Sequence, residues 1–136
     1  MRYFKYHHTF KYETADAFTR STAIEGFDIH TGYIHLYPSG LLSIRNGYKL
    51  DGPSGPTFDT PNSMDAALVH DALYQLMRMD LLPVANRKRA DRLLKKMCIE
   101  NGMSKARANL WYIGVRFRGA SAKPGSQSRQ HEVIIT

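Results

Sequence analysis

The sequence predicts an α+β fold in which a small amino-terminal antiparallel sheet precedes three helices. Short alternating runs of β-branched and aromatic residues fill the β-rich part, residues 1–46. Longer segments with the helical spacing of apolar side chains fill the helical part, residues 64–119. We therefore expect a single domain over residues 1–119, followed by a flexible tail over residues 120–136 whose HEVIIT end could add a strand.

The clearest strands flank a Pro-Ser-Gly turn signal. The runs GYIHLY and LLSIR lie on either side of it and predict a hairpin. Ring side chains at positions 33, 35 and 37 alternate with Ile34 and Leu36, as expected for a strand with one face in the core. The segment DAFTRSTAI predicts a further strand upstream, so the first third is expected to be one small sheet.

Residues 47–63 predict a structured loop, because GYKLDGPSGPTFDTPNS contains three Gly and three Pro. The first helix is predicted from the Asn62/Ser63 cap to about Met79.

Two more helices follow. The second is predicted to be capped by Asn86 and stopped by Gly102. Ser104 caps the third, which runs to Gly119 and is apolar around most of its girth, so we expect it to be the central helix.

Within the first helix, ALVHDALYQL contains two adjacent polar side chains. At about 100° per residue, His70 points to the apolar side and Asp71 to its edge. On the second helix, Asp91 lies on the border between an apolar and a basic arc. If the two helices pack antiparallel through their apolar faces, Asp91 reaches His70. Arg87, four residues before Asp91, is also a potential partner and would then compete with His70.

A His-Asp pair of this kind has a chemical use. If Asp91 accepts from one ring nitrogen of His70, the other nitrogen can take a proton from water as a general base. Asp71 could supply oxygens to a hard cation such as Ca²⁺, which takes about 6 to 8 oxygen ligands. Tyr74 and Arg87 are candidate supporting residues, although Tyr74 also fits the core and Arg87 also fits an i,i+4 partner of Asp91.

The loop DGPSGP supplies the other candidate residues. Carbonyl groups near Gly52 and Gly55 could complete the metal site, because glycine lets a ligand approach the backbone closely. Asp51 lies at the start of this loop, and Arg116 on the third helix could neutralise it. Ser54 has no G-x-S-x-G elbow around it, so it does not predict a serine hydrolase.

A structural interpretation of the same residues is also open. His70 and Asp91 could be a buried polar tie between two helices, and Asp71 could accept hydrogen bonds from the loop backbone. Trp111 and Tyr112 are expected to pack within the third helix.

The formal charge of +7 favours an anionic partner, such as phospholipid, a negatively charged protein face or nucleic acid. Five cations form the basic arc of the second helix: Lys88, Arg89, Arg92, Lys95 and Lys96. No nucleic-acid motif accompanies them, so sequence-specific nucleic-acid binding is not expected. The single cysteine, Cys98, excludes an internal disulfide framework. No signal peptide and no transmembrane segment are expected.

Four motifs carry a resemblance over roughly residues 33–119. In order they are a D-G-x-S-G-P-T loop, H-D-A-L-Y, R-x-x-A-D and V-R-x-x-G. Together they resemble an uncharacterised family of tailed phages and prophages.

The chain is more distantly similar to the phospholipase A2 superfamily, particularly its disulfide-free parvoviral form. There a Tyr- and Gly-Pro-rich calcium loop precedes an H-D-x-x-Y helix, and an Ala-Asp dipeptide follows on the next helix. The resemblance implies a phospholipase-A2-like helical core. It also implies that His70 is the base, Asp71 the calcium carboxylate, Tyr74 a hydrogen-bonding support and Asp91 the orienting carboxylate.

Two functions remain open. The first is calcium-dependent hydrolysis of a lipid ester during penetration of the host or lysis. The second is a non-enzymatic virion or host-interaction protein, such as a tail or assembly component, that keeps the motif as structure. In either case the expected location is the host cytoplasm or the virion, with phospholipid or other virion proteins as partners.

Overall fold

The computed structural model describes residues 3–5, 12–50 and 61–117. In these described ranges, seven short strands precede three helices, so the α+β layout is confirmed. The chain divides into two compact units, the first holding the described strands and the second the described helices. The expectation of one domain over residues 1–119 stays a prediction, and the tail predicted over residues 120–136 lies outside the described residues.

The strands form two antiparallel sheets, where the sequence predicted one. In chain order the strands are β1 (Tyr3–Lys5), β2 (Tyr12–Thr14), β3 (Phe18–Ser21), β4 (Ile29–His30), β5 (Ile34–Leu36), β6 (Leu41–Ile44) and β7 (Lys49–Leu50). A three-stranded sheet has the order β1-β2-β7, and a four-stranded sheet has the order β3-β6-β5-β4.

The predicted hairpin is β5 and β6, which pair antiparallel with Leu36 opposite Leu42. The predicted alternation is confirmed, because Ile34 and Leu36 are buried while the side chains beside them are not. The turn requires glycine at Gly40, whose φ is +93° and where a Cβ would lie 2.7 Å from the carbonyl oxygen of Thr22.

The helices are α1 (Pro61–Arg78), α2 (Arg87–Glu100) and α3 (Lys105–Phe117), with a short 3₁₀ helix (Val84–Asn86) before α2. Both ends of the segment predicted as a loop, residues 47–63, contain regular elements, because Lys49–Leu50 is β7 and α1 begins at Pro61. Residues 51–60 lie outside the described part of the chain. No described helix is both long and apolar enough to cross a membrane.

Helices α1 and α2 end in the same way. At the end of α2, the N–H of Gly102 bonds to Ile99 and that of Met103 to Cys98, with Gly102 in the left-handed region. This confirms Gly102 as the predicted stop. After α1, Asp80 takes the corresponding position with a φ of 59°.

Of the two predicted caps at the starts of α2 and α3, one is confirmed and one is wrong. Ser104 caps α3 by accepting a hydrogen bond from the backbone N–H of Arg107 at 3.2 Å. Asn86 precedes α2, but its side chain makes no capping bond. Instead its amide donates to the carbonyl of Pro83 and its oxygen accepts from Arg89, so the prediction of an Asn86 side-chain cap is wrong.

The most buried helix is α1, and the prediction that α3 is central is wrong. Seven apolar residues of α1 are at most 1% exposed: Ala66, Leu68, Val69, Ala72, Leu73, Leu76 and Met77. On α3, by contrast, Leu110 is 61% and Phe117 is 86% exposed. The apolar residues of α3 therefore lie on two faces. One face is buried, and the other is exposed among the described residues.

Candidate functional site

The carboxylate of Asp91 is the centre of a polar cluster in the helical unit. It is fully buried on α2. One oxygen, Oδ1, lies 2.6 Å from Nε2 of His70 and accepts a 2.7 Å hydrogen bond from the hydroxyl of Tyr74. The other, Oδ2, accepts a 2.9 Å hydrogen bond from Nη1 of Arg116. The carboxylate on α2 therefore binds side chains from both α1 and α3.

Helical spacing explains the arrangement. His70 and Tyr74 are four residues apart on α1, which places them on one face. Their ring centroids are 4.2 Å apart, with the planes tilted by 38°. Arg87 and Asp91 have the same spacing on α2, and Nη1 of Arg87 donates a 3.2 Å hydrogen bond to the backbone carbonyl of Arg116. This contact attaches the end of α3 to the start of α2.

The surroundings keep Asp91 ionised. Burial by itself would raise its pKa, but hydrogen bonds from His70, Tyr74 and Arg116 outweigh that effect and hold the pKa below its usual value. The pKa of Tyr74 is raised well above its usual range, first by burial and then by the neighbouring charge of Asp91. Tyr74 therefore stays protonated and remains a hydrogen-bond donor to the carboxylate.

The charge of Asp91 decides which ring nitrogen of His70 carries the proton. An ionised carboxylate only accepts hydrogen bonds, so Nε2 must be the protonated nitrogen. In the neutral ring, Nδ1 then holds the lone pair. Within the described part of the chain, Nδ1 has no hydrogen-bond partner, and the His70 side chain is 14% exposed. The arrangement can take a proton from a small molecule that reaches Nδ1.

The predicted hydrogen bond between His70 and Asp91 is present. The predicted competition from Arg87 is not, because the arginine on Asp91 is Arg116 and it uses the oxygen that His70 leaves open. The sequence suggested Arg116 as a partner for a buried carboxylate but named Asp51, which lies outside the described residues. The catalytic roles of His70 and Asp91, and the supporting roles of Tyr74 and Arg87, stay predictions.

The proposed metal site is only partly within the described residues. Asp71 lies on α1 next to His70, is half-buried and interacts with another group. Gly52, Ser54 and Gly55 lie outside the described residues. Among the described residues, no group of three or more His, Cys, Asp or Glu side chains could hold a metal ion. The proposed calcium site therefore stays a prediction.

The family model described as "Protein of unknown function (DUF1353)" matches residues 27–115. The chain belongs to the DUF1353 family. No curated protein and no solved structure matches it. The predicted resemblance to an uncharacterised family is thereby confirmed, while an origin in a phage or prophage stays a prediction. The DUF1353 match contains His70, Tyr74, Arg87 and Asp91, and it ends one residue before Arg116.

Proposed function

We propose that this DUF1353 protein hydrolyses a lipid ester, with His70 as the general base and Asp91 as the residue that orients it. One observation carries the proposal: Nε2 of His70 is bound to a buried, ionised carboxylate, and Nδ1 is left with the lone pair on a partly exposed ring. A neutral histidine bonded through Nε2 keeps a second nitrogen that can act as a base.

The chemistry follows from this geometry. Nδ1 of His70 removes a proton from water while the water oxygen attacks the ester carbonyl carbon. Asp91 stabilises the resulting imidazolium, since its negative charge lies against Nε2. As the tetrahedral intermediate collapses, Nδ1 returns the proton to the leaving alkoxide. The products are an alcohol and a carboxylic acid, and the ring is restored to its starting state.

Calcium enters the proposal through the resemblance to phospholipase A2. Asp71 and the carbonyl groups near Gly52 and Gly55 are the proposed ligands. A bound Ca²⁺ would polarise the ester carbonyl and stabilise the oxyanion. The hydroxyl of Tyr74 on Asp91 fits the supporting role that the same resemblance implies. We further propose that the protein acts in a tailed phage or prophage, during penetration of the host or lysis.

The proposal is tested with mixed phospholipid vesicles containing anionic and zwitterionic lipids. We expect fatty acid release that requires Ca²⁺ and is abolished by His70→Ala in protein that is still folded at the assay temperature. His30→Ala is the matched control, because His30 is exposed on β4 in the other unit and should keep full activity. Absence of release by the unmodified protein, together with no stabilisation by Ca²⁺, would reject the proposal.

A second candidate is a non-enzymatic virion or host-interaction protein that keeps the His-Asp cluster as structure. The open apolar face of α3 favours it, since Leu110, Ile113 and Phe117 are each more than 40% exposed. Replacing Phe117 with Ser distinguishes the two. A docking protein would lose association with its virion partner, whereas a hydrolase would keep its rate on monomeric ester substrates.

A further inference from the structure

Helices α2 and α3 form an open groove of about 490 Å³ in the helical unit. Six residues line it: Arg92, Lys95, Lys96, Ile99, Glu100 and Tyr112. Neither the proposed chemistry of His70 nor the family assignment accounts for it.

The groove lies between α2 and α3, on the side of the Asp91 cluster toward the end of α2. Four residues beyond Asp91 on α2 is Lys95, and four residues before Arg116 on α3 is Tyr112. The ammonium of Lys95 lies 5.7 Å from the ring centroid of Tyr112 and donates a 3.2 Å hydrogen bond to Asn109. Lys95 therefore lies one helical turn, about 6 Å along α2, beyond Asp91, whose carboxylate holds His70.

The lining combines charge with apolar surface. Three cations, Arg92, Lys95 and Lys96, face a single anion, Glu100, so the groove carries an excess of positive charge. Ile99 and the ring of Tyr112 add apolar walls, which the aliphatic stems of the lysines extend. Lys95 is held in place by two contacts, which lowers the entropy that it loses when it binds an anion.

We propose that this groove binds an anionic amphiphile, a molecule with a negatively charged head and a single apolar chain. A bare anion would leave the walls at Ile99 and Tyr112 in contact with water, and a neutral apolar molecule would leave the cations unpaired. Fatty-acid carboxylates and anionic lysolipids share the required chemistry. Hydrolysis of a lipid ester yields molecules of this class, so a role for the groove in holding substrate or product rests on the proposed function.

Binding can be measured without turnover, which separates the two proposals. Sodium dodecanoate below its micelle concentration is titrated into the full-length His70→Ala protein and followed by calorimetry and by backbone amide shifts. We expect saturable binding, with the shifts centred on residues 92–100 and on Tyr112. Acetate has the same head without the chain, and dodecyltrimethylammonium has the same chain with the opposite charge. Both should bind at least tenfold more weakly than dodecanoate.

A matched pair of double variants locates the site. Lys95→Met with Lys96→Met removes two charges but keeps the apolar stems, and it should weaken dodecanoate binding about tenfold. Lys88→Met with Lys105→Met removes the same charge from the helical unit outside the groove lining, and it should leave the affinity within about twofold.

Three results would overturn the inference. They are no binding of dodecanoate, equal weakening by both double variants, and displacement of dodecanoate by an oligonucleotide or acidic peptide that binds the groove more tightly. Anionic lysophosphatidylglycerol and dodecanoate are titrated separately. The ligand with the lower dissociation constant identifies the natural head group. If the unmodified protein hydrolyses no ester but dodecanoate still binds, the proposed function is rejected and the proposed groove ligand is not.

Discussion

Arg116 donates a 2.9 Å hydrogen bond to Oδ2 of Asp91, the carboxylate oxygen that His70 leaves open. The contact ties α3 to α2 at the residue that orients the imidazole. Because Asp91 is fully buried, its charge needs a neighbouring cation, and Arg116 is the arginine that supplies it. The guanidinium and the imidazole occupy different oxygens, so they do not compete.

Replacing Arg116 with Met should lower the free energy of unfolding by about 2 kcal/mol. This is less than the cost of breaking a fully buried pair, because the Arg116 side chain is 31% exposed and water can partly replace it. Urea denaturation followed by the fluorescence of the single tryptophan, Trp111, measures the change. Lys105→Met, at an exposed position on the same helix, should change stability by no more than about 0.5 kcal/mol. Equal effects of the two substitutions would contradict the account.

Stability should fall in acid partly because of Asp91. Its pKa is lowered in the folded state, so its contribution is fully present above the usual carboxyl value of about 3.9 and is lost as the pH drops through the lower folded value. In Asp91→Asn the free energy of unfolding should be lower near neutrality and should depend less on pH below about 4. Parallel pH curves for the two proteins would show that Asp91 is not ionised in the fold.

The sequence was informative about the contact between His70 and Asp91 because both lie on long, strongly periodic helices. The turn of each helix sets which residues share a face, and the short connection between α1 and α2 limits how the helices can pack. Helical geometry together with the expected antiparallel packing of the two helices therefore gave the residue numbers of the pair.

Arg116 could not be assigned to Asp91 in the same way. It lies 25 residues further along the chain, and its reach depends on how α3 packs against α2. The third helix was also misjudged, because apolar composition does not tell which of two apolar faces is buried. The signal was used only in part. An arginine in an apolar helix needs an acid, and the sequence pointed to Asp51 for Arg116 although Asp91, on the border of the apolar arc of the second helix, was also a candidate.

Cys98 should react slowly with thiol reagents in the folded protein. Burial raises the pKa of its thiol to about 11, although the nearby Arg107 acts in the opposite direction. Both the low thiolate fraction and the burial slow alkylation, and we expect a rate at least about 100-fold below that in urea. Because it is the only cysteine, labelling followed by mass spectrometry reports on this residue alone. Labelling at the unfolded rate would mean that α2 is not packed as described.

The ends of α1 and α2 form a matched test of backbone strain. Asp80 and Gly102 occupy equivalent left-handed positions, but only Gly102 adopts that conformation without steric cost. We expect Asp80→Gly to raise the free energy of unfolding by about 0.5 kcal/mol and Gly102→Ala to lower it by about 1 kcal/mol. Thermal denaturation of both variants measures the difference. A loss of stability in Asp80→Gly would imply that the aspartate side chain makes a stabilising contact worth more than the strain.

The central claim is that His70 keeps its proton on Nε2 and its lone pair on Nδ1. Long-range proton–nitrogen NMR reads this state directly, in alkaline buffer where imidazole rings are neutral. We predict that His70 shows the tautomer with the proton on Nε2 in the unmodified protein, and that Asp91→Asn shifts the ring toward a mixture of both tautomers. A proton on Nδ1 in the unmodified protein would contradict the account, because the ring would then have no free nitrogen with which to activate water.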